Sequence, residues 1–347
     1  MGPAAALRRI AYLLEREGAE TYKVRAFRKA AAAVDELEPE RLALLASSGN
    51  LKAIENVGDT TALVIAEAVA GKVPAYLEQL EAADAVALSP GAMALRKLLK
   101  GDCHSHSDWS DGGSPIAEMA ATAAEMGHDY LVLTDHSPRL TVARGLTAER
   151  LREQLKLVEE VNGQMAPFRL LTGIEVDILE DGSLDQDEAL LAQLDVVVAS
   201  VHSKLRMDAP QMTRRMVKAV ESPHCDILGH CTGRLMGKKT REPSSFHAET
   251  VFAACASTGT AVEINSRPER RDPPEGLLRL AVELGCRFSI DTDAHAPGQL
   301  EWLGLGCEQA VAAGVEAASV VNSWPVDGLL EWAASHDAPK SSRPPRS

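Results

Sequence analysis

The spacing of apolar residues changes near residue 100 of this 347-residue chain. Before that point, apolar side chains recur every three or four positions, which is the period of an amphipathic helix. Two such stripes lie on either side of Gly18: Leu7, Ile10, Leu13 and Leu14, then Tyr22, Val24, Phe27, Ala30, Ala31 and Val34. Further helices are predicted over 39–49, with Pro39 in the first turn, and over 60–70, which Gly71 ends. Residues 1–84 are therefore predicted to be an all-helical domain.

From residue 101 onward, short β-branched runs alternate with helical patterns. The predicted strands are 102–104, 130–134, 170–176, 195–201, 226–229, 261–265 and 287–291. Amphipathic helices, such as those in SPIAEMAATAAEMG and PPEGLLRLAVELG, separate most of them. This alternation predicts an α/β fold with a parallel barrel over 101–325. Residues 85–100 are predicted to form the linker before it, and 326–347 a C-terminal helix with a disordered tail.

Composition and charge narrow the class of protein. The hydrophobic fraction of 45% is ordinary for a globular protein. Residues 1–100 carry 13 Lys/Arg and 13 Asp/Glu, so the net charge of −14 arises in the remainder. An acidic barrel argues against a general nucleic-acid coat and suits a site for several divalent cations. Six cysteines without a C-x-x-C pair, no secretory signal and no membrane-length apolar run predict a cytoplasmic protein with no membrane partner.

Side chains that bind metals fall at the ends of the predicted strands, beginning with GDCHSHSDWSDG at 101–112. The predicted ligands are His104, His106, Asp111, His136, Glu175, His202, His230, Asp293 and His295. Because the carboxyl ends of parallel barrel strands converge on one face, these groups are expected in one pocket. Imidazole and carboxylate together suit Zn, Mn or Fe, and the set exceeds the needs of one ion. A lone buried histidine is usually a satisfied core residue, so the prediction depends on the whole set.

The order H-x-H, D, T-D-H, G-x-E, S-V-H, G-H and D-x-H resembles the PHP (polymerase and histidinol phosphatase) family over about residues 101–325. The resemblance implies a distorted, TIM-like (β/α)7 barrel that holds up to three divalent ions. It assigns His104, His106, Glu175 and Asp293 to the first ion and to catalysis. Glu175 would bridge to a second ion shared with His202 and His230, and Asp111, His136 and His295 would hold the third. The implied reaction is phosphoester hydrolysis by a metal-activated hydroxide.

The phrases ASVHSKLRM, DILGHCTGRLMGKK and VEINSRPERRD are most similar to the PHP domain of bacterial family X DNA polymerases. Residues 1–84 resemble the helical DNA-binding domain of those polymerases, including its helix-hairpin-helix, which implies DNA contacts by Val57, Gly58 and Thr60. About 16 residues separate the two parts, too few for a polymerase palm, so polymerisation is not expected. The hairpin departs from the family's Gly–apolar–Gly turn by carrying Asn56, and Arg267 replaces the usual Asn. The alternative for the helical domain is a purely structural cap.

Cations follow several ligand-bearing strands, and phosphate substrates require cations beyond the metals. They are Lys204, Arg206, Arg234, Lys238, Lys239, Arg267, Arg270 and Arg271; Lys204, Arg206, Arg234, Arg267 and Arg270 are the predicted phosphate-binding residues. The leading prediction is a metal-dependent phosphoesterase acting at DNA 3′ ends, as a 3′–5′ exonuclease or a 3′-phosphatase/phosphodiesterase. One alternative is a small-molecule phosphatase acting on a histidinol-phosphate-like or nucleotide substrate. The other is a non-catalytic DNA-binding protein, and the sequence leaves the oligomeric state open.

Overall fold

A computed structural model describes residues 1–82, 87–237 and 240–336. These residues form two compact units, one containing 1–82, 87 and 296–301, the other 88–237, 240–295 and 302–336. Lys238, Lys239, the start of the predicted linker and the predicted disordered tail beyond 336 lie outside the described residues. Across the described ranges, none of the helices combines the length and the apolar character that crossing a bilayer requires.

The first unit is helical. Its helices are α1 (Pro3–Arg16), α2 (Thr21–Asp35), α3 (Pro39–Ser47), α4 (Asp59–Val69) and α5 (Ala75–Ala82), with a 3₁₀ turn at Leu51–Ala53. Most residues of the two predicted apolar stripes lie in its core, where Leu7 and Ile10 pack with Ile65 of α4, whereas Tyr22 is exposed. Gly18 follows α1 with a φ of 65°, a left-handed conformation that glycine adopts without strain. The all-helical character predicted for this region is therefore observed in the residues described.

The second unit confirms the predicted α/β barrel. Its strands are β1 (Gly101–Ser105), β2 (Tyr130–Leu133), β3 (Arg169–Asp177), β4 (Val196–Ser200), β5 (Ile227–Leu228), β6 (Ala261–Asn265) and β7 (Arg287–Asp291). They pair in parallel in sequence order. An isolated parallel bridge between Ser105 and Ala294 brings the segment after β7 back to β1, so the sheet is nearly closed.

Helices alternate with these strands around the sheet. They are α6 (Pro90–Leu98), α7 (Ile116–Glu125), α8 (Ala148–Met165), α9 (Glu188–Leu191), α10 (Ala209–Val220), α11 (Ala248–Thr258), α12 (Glu275–Glu283), α13 (Leu303–Ala313) and α14 (Val326–Ala333). Further 3₁₀ turns lie at Thr141–Ala143, Pro297–Trp302, Ala317–Ser319 and Val321–Ser323. Helices that connect parallel strands cover the faces of the sheet, which explains why nearly every strand residue is buried.

The structure corrects the predicted linker. Residues 90–98 form α6, which Ser89 caps by accepting the N–H of Ala92. Ala92 and Leu95 are buried in the barrel core. The basic residues of LRKLLK suggested a surface connection, but Leu95 and Leu99 lie at helical spacing and pack inward, while Leu98 is exposed.

The two ends of the barrel differ in polarity. At the amino ends of the strands, Tyr130 and Val196 pack with Leu329 and Trp332 of α14 in an apolar cluster. At the carboxyl ends, the buried side chains are mostly histidines, carboxylates and hydroxyl groups. The amino end therefore supplies stability, and the carboxyl end supplies the candidate site.

Candidate metal centre

The strand ends bring the nine predicted ligands to the same face of the barrel. They come from β1 and the loop after it, from the segment after β2, from β3, and from the segments after β4, β5 and β7. Two of them, His104 and Glu175, lie within strands, and their side chains point into the barrel because alternate strand residues face alternate sides. Six of the nine are buried, His202 and His295 are partly buried, and Asp111 is the most exposed, with 38% of its side chain accessible.

Glu175 lies at the middle of this set. Its Oε2 is 3.3 Å from His104 Nε2, 3.6 Å from His106 Nε2 and 2.9 Å from His136 Nδ1. Its Oε1 is 3.2 Å from His202 Nε2 and 3.0 Å from His230 Nε2. One carboxylate therefore meets five imidazoles contributed by four different strand ends.

Two further carboxylates complete the set. Asp293 Oδ1 lies 3.4 Å from His106 Nε2 and 3.6 Å from His295 Nδ1. Asp111 Oδ1 lies 3.5 Å from His136 Nε2 and 3.3 Å from His295 Nε2. Ligand-capable atoms close enough to share an ion fall into three groups: His106, Asp111, His136 and His295; His104, His106 and Glu175; and His136, Glu175 and His202. These groups overlap at His106, His136 and Glu175, as a cluster of adjacent cation sites requires.

The hydrogen bonding of the described residues tests whether this set fits metal ions. The buried atoms that lack a hydrogen-bond partner there include Nε2 of His104 and His202, both ring nitrogens of His106 and His230, Nδ1 of His136 and both Glu175 oxygens. Leaving a buried polar group unsatisfied costs about 1–3 kcal/mol, so such a concentration requires a ligand. Imidazole nitrogen and carboxylate oxygen are the donors that Zn, Mn and Fe accept, and the residues therefore fit the predicted ions.

Protonation in this cluster follows burial and charge. Burial, with His295 and His136 nearby, lowers the pKa of His106 to about 3, which keeps its imidazole neutral. Burial alone would raise the pKa of Glu175, but the imidazoles of His202 and His104 outweigh it and hold that pKa well below its usual range. A neutral imidazole and an ionised carboxylate are the forms that bind cations.

Comparisons with known proteins agree with this geometry. Residues 102–267 match the family described as PHP domain. Over these residues, from β1 to β6, the barrel is similar to PHP domains. Residues 3–73 match the family described as helix-hairpin-helix domain. The PHP match thus begins in β1, and the helix-hairpin-helix match spans α1 to α4.

Individual relatives include both polymerase-linked and free-standing proteins. The DNA polymerase/3′-5′ exonuclease PolX of Bacillus subtilis (strain 168) is 40% identical over 225 residues, 65% of this chain but only 39% of the polymerase. A probable phosphatase of Thermoanaerobacter sp. (strain X514) is 29% identical over 205 residues, 56% of this chain and 78% of its own length. A crystal structure of histidinol phosphate phosphatase from Lactococcus lactis with zinc, L-histidinol and phosphate covers 62% of this chain and 94% of its own, at 18% identity and a TM-score of 0.46.

Among the predicted phosphate-binding residues, Arg270 and Arg267 lie beside two of the predicted metal ligands, Asp293 and His295. Arg270 Nε donates to Asp293 Oδ2 at 3.0 Å, and Arg270 Nη1 is buried without a partner among the described residues. Arg267 Nη1 lies 3.4 Å from His295 Nδ1.

The other three predicted cations are placed differently. Arg234 Nε donates to the carbonyl oxygen of Arg270 at 2.8 Å, and its Nη2 donates to that of Arg271. Arg234 therefore braces the loop that carries Arg270 and is committed to backbone oxygens. Lys204 and Arg206 are exposed in the turn after His202.

The hairpin of the helical unit places its three predicted DNA-contacting residues in different environments. Val57 is buried and its N–H donates to the carbonyl oxygen of Ile54, so it offers neither side chain nor N–H to a ligand. The N–H of Gly58 donates to Thr61 Oγ1 at 2.9 Å. Thr60 is exposed in the first turn of α4, where backbone N–H groups point out of the helix. Asn56 adopts a φ of 61°, which allows the turn to form without the family's first glycine.

Sequence reasoning missed several buried carboxylates under the ligands. Asp135, next to His136, accepts hydrogen bonds from Ser107 Oγ at 2.6 Å and from Gln154 Nε2 at 2.6 Å. It also accepts the N–H of Ser107 at 2.8 Å, which fixes the loop that leads to Asp111. Glu263 and Asp177 contact ligand histidines directly. The available signal was an acid inside a run of otherwise apolar strand residues, as in AVEIN and GIEVD.

Proposed function

We propose that this chain is a metal-dependent phosphoesterase that acts at DNA 3′ ends, as a 3′–5′ exonuclease or a 3′-phosphatase/phosphodiesterase. The observation that carries the proposal is the convergence around Glu175 of buried imidazole and carboxylate atoms that have no hydrogen-bond partner among the described residues. Beside them lies Arg270, whose buried Nη1 also lacks a partner there. The similarity to a polymerase/exonuclease and to probable phosphatases supports phosphoester hydrolysis. The helix-hairpin-helix match supports DNA as the substrate.

The proposed ion ligands are the nine predicted residues, with Glu175 between the ions. Divalent ions bound there would supply Lewis acidity, lowering the pKa of a water molecule and polarising the phosphoryl oxygens. The protein itself would bind and orient the phosphate through Arg270, whose Nη1 is buried without a partner among the described residues. Arg267, at 26% side-chain exposure, lies further out and would contact the next phosphate or the leaving group.

Charge explains how an acidic barrel would accept a polyanion. Asp293 is buried, and although burial would raise its pKa, the hydrogen bond with His106 and the charge of Arg270 hold that pKa well below its usual range. Arg270 therefore neutralises a ligand carboxylate and still offers one N–H. Cations bound at the nine ligands would make the pocket electropositive although the barrel as a whole is acidic.

The deciding experiment is cleavage by Mn-loaded protein of a 5′-labelled duplex with a recessed 3′ end, and of the same duplex carrying a 3′-phosphate. We expect shortening of the labelled strand or loss of the 3′-phosphate, and none with His104→Ala. Intact DNA together with release of phosphate from histidinol phosphate or a nucleotide would establish the small-molecule alternative. A protein that binds DNA and remains inactive with all ions bound would establish the non-catalytic alternative.

Gly58 gives a separate test of the helical unit. A Cβ added at Gly58 would meet nothing within 4 Å, and its φ is −100°, so the fold does not require glycine there. A Gly58→Val side chain would instead project from the hairpin and obstruct close approach of a phosphate. We expect weaker DNA binding in fluorescence anisotropy with an unchanged melting temperature. Equal DNA affinity of the variant and the parent protein would favour the structural-cap alternative.

A further inference from the structure

Two ligand histidines have buried carboxylates behind their rings. Glu263, in the middle of β6, places its Oε1 2.5 Å from Nδ1 of His104. Asp177, at the end of β3, places its Oδ1 2.5 Å from Nδ1 of His202. Both acids are buried, at 0% and 5% exposure, and neither belongs to the predicted ligand set.

These contacts determine which ring nitrogen faces the centre. A carboxylate accepts the Nδ1–H proton and so favours the tautomer in which Nε2 carries a lone pair. Nε2 of His104 and Nε2 of His202 lie 3.3 and 3.2 Å from the Glu175 oxygens. Both nitrogens lack a hydrogen-bond partner in the described part of the chain. The two rings therefore present their lone pairs to the same point between β1, β3 and β4.

Glu263 acts on more than one ligand. Its Oε2 accepts the backbone N–H of His230 and lies 3.2 Å from Nδ2 of Asn265. One carboxylate thus connects a ligand on β1 with the backbone of a ligand after β5. Because both of its oxygens are committed to these donors, Glu263 acts through the histidines.

In the third group of ligands, the ring of His295 has a different neighbour. Nδ1 of His295 lies 2.8 Å from the backbone carbonyl oxygen of Asp293. A carbonyl oxygen carries no full charge, so it polarises the ring less than a carboxylate does. Asp111, in the same group, is more than one-third exposed. The group formed by Asp111, His136 and His295 is therefore the least buried of the three.

We propose that Glu263 and Asp177 are positioning residues that hold His104 and His202 as Nε2 ligands and thereby raise the metal affinity of the two subsites sharing Glu175. The proposal rests on the proposed function, because it assumes that ions bind at this centre. It predicts unequal subsites: two tight ones around Glu175 and a weaker one around Asp111. At metal concentrations that keep the two tight subsites filled, the occupancy of the weaker subsite would then still rise and fall with the metal concentration.

The test is equilibrium competition for Zn²⁺ between the full-length protein and a chromophoric chelator. Glu263→Gln and Asp177→Asn keep the size of each side chain and remove its charge. We expect each to weaken the tight sites about 10- to 100-fold, Glu263→Gln more because it touches two ligands, and to leave the weak site unchanged. Asp195→Asn is the control, since Asp195 bonds the Thr172 N–H and hydroxyl at the amino end of the barrel.

Two further readouts separate positioning from general stability. Thermal unfolding with and without Zn²⁺ should show a smaller metal-induced rise in Tm for both variants, whereas a structural role would lower both Tm values equally. Imidazole ¹⁵N resonances of histidine-labelled, Zn²⁺-loaded protein should show His104 bound through Nε2 in the parent protein and a mixture of Nε2- and Nδ1-bound rings in Glu263→Gln. Unchanged Zn²⁺ affinity in both variants overturns this inference alone. A parent protein that binds no metal overturns the proposed function as well.

Discussion

Arg270 allows a quantitative test of how the site would hold a phosphate. Only 14% of its side chain is exposed, and its Nε is committed to Asp293 Oδ2 at 3.0 Å. Its Nη1 is buried and has no hydrogen-bond partner among the described residues. A buried N–H left in this state costs about 1–3 kcal/mol, and a phosphoryl oxygen is an acceptor that would remove the cost.

Arg270→Met removes the charge and the donor and retains an unbranched side chain. One charge-assisted hydrogen bond contributes about 1.5–3 kcal/mol, or about 10- to 150-fold in binding. Where the donor meets charge that develops only in the transition state, the loss in kcat is about 10²- to 10³-fold. Arg270→Lys keeps the charge and loses the second donor of the planar fork, so its loss should be intermediate.

The assay is kcat and KM on the recessed 3′ duplex and on a small aryl phosphate, with metal content measured for each protein. Arg279→Met is the matched control, because Arg279 is exposed on α12 and pairs with Glu275. A kcat/KM for Arg270→Met within twofold of the parent protein, at full metal content, would refute the assigned role. Loss of bound metal in this variant would instead show that Arg270 acts through Asp293.

Two other predictions concern acid stability and metal dependence. His128 is buried beside Arg96 Nη2, at 2.9 Å, and burial together with that charge lowers its pKa to about 3. Since the unfolded chain takes up this proton near pH 6.5 and the folded protein does not, stability should fall by about 1.4 kcal/mol per pH unit from pH 6.5 down towards 3. In urea titrations between pH 7 and 5, the free energy of unfolding of His128→Gln should fall less with pH than that of the parent protein. A variant of the exposed His247 is the control and should behave like the parent protein. Equal slopes of the free energy of unfolding against pH in all three proteins would contradict the prediction. For metal dependence, chelation should abolish phosphoester cleavage, and added Mn²⁺ should restore it. Glu175→Gln should bind metal more than about 100-fold more weakly than the parent protein and stay inactive when Mn²⁺ is added. This loss exceeds the roughly 10- to 100-fold that is typical when a residue behind a ligand is changed.

Local patterns located the strands reliably because the barrel requires them to be buried on both sides. All seven predicted strands form, and β6 and β7 have the predicted bounds. The linker prediction failed at α6, where a basic sequence obscured the apolar positions Ala92 and Leu95 that the barrel core buries. Charge composition is a weak guide in such a segment, since packing of one helix face is independent of the residues on the other.

The metal centre could be anticipated because the carboxyl ends of parallel strands must meet. That rule brought together His104 and Asp293, which lie almost two hundred residues apart, before any distance was known. The same rule could not tell which of the predicted basic residues face the pocket. A side chain that follows a strand end can point into the pocket or back towards the backbone. Arg270 points at Asp293, and Arg234 is committed to backbone carbonyl oxygens.

The sequence alone therefore determined the seven strands, the parallel barrel and the nine candidate ligands, since each depends on local periodicity and on one topological rule. Only the tertiary structure decided that Glu175 is the centre, that Glu263 and Asp177 lie behind His104 and His202, and that Val57 is buried. The physical reason is that periodicity fixes the side of a strand on which a residue lies. Pairwise distances and the direction of each ring nitrogen depend on how the strands are staggered around the nearly closed barrel.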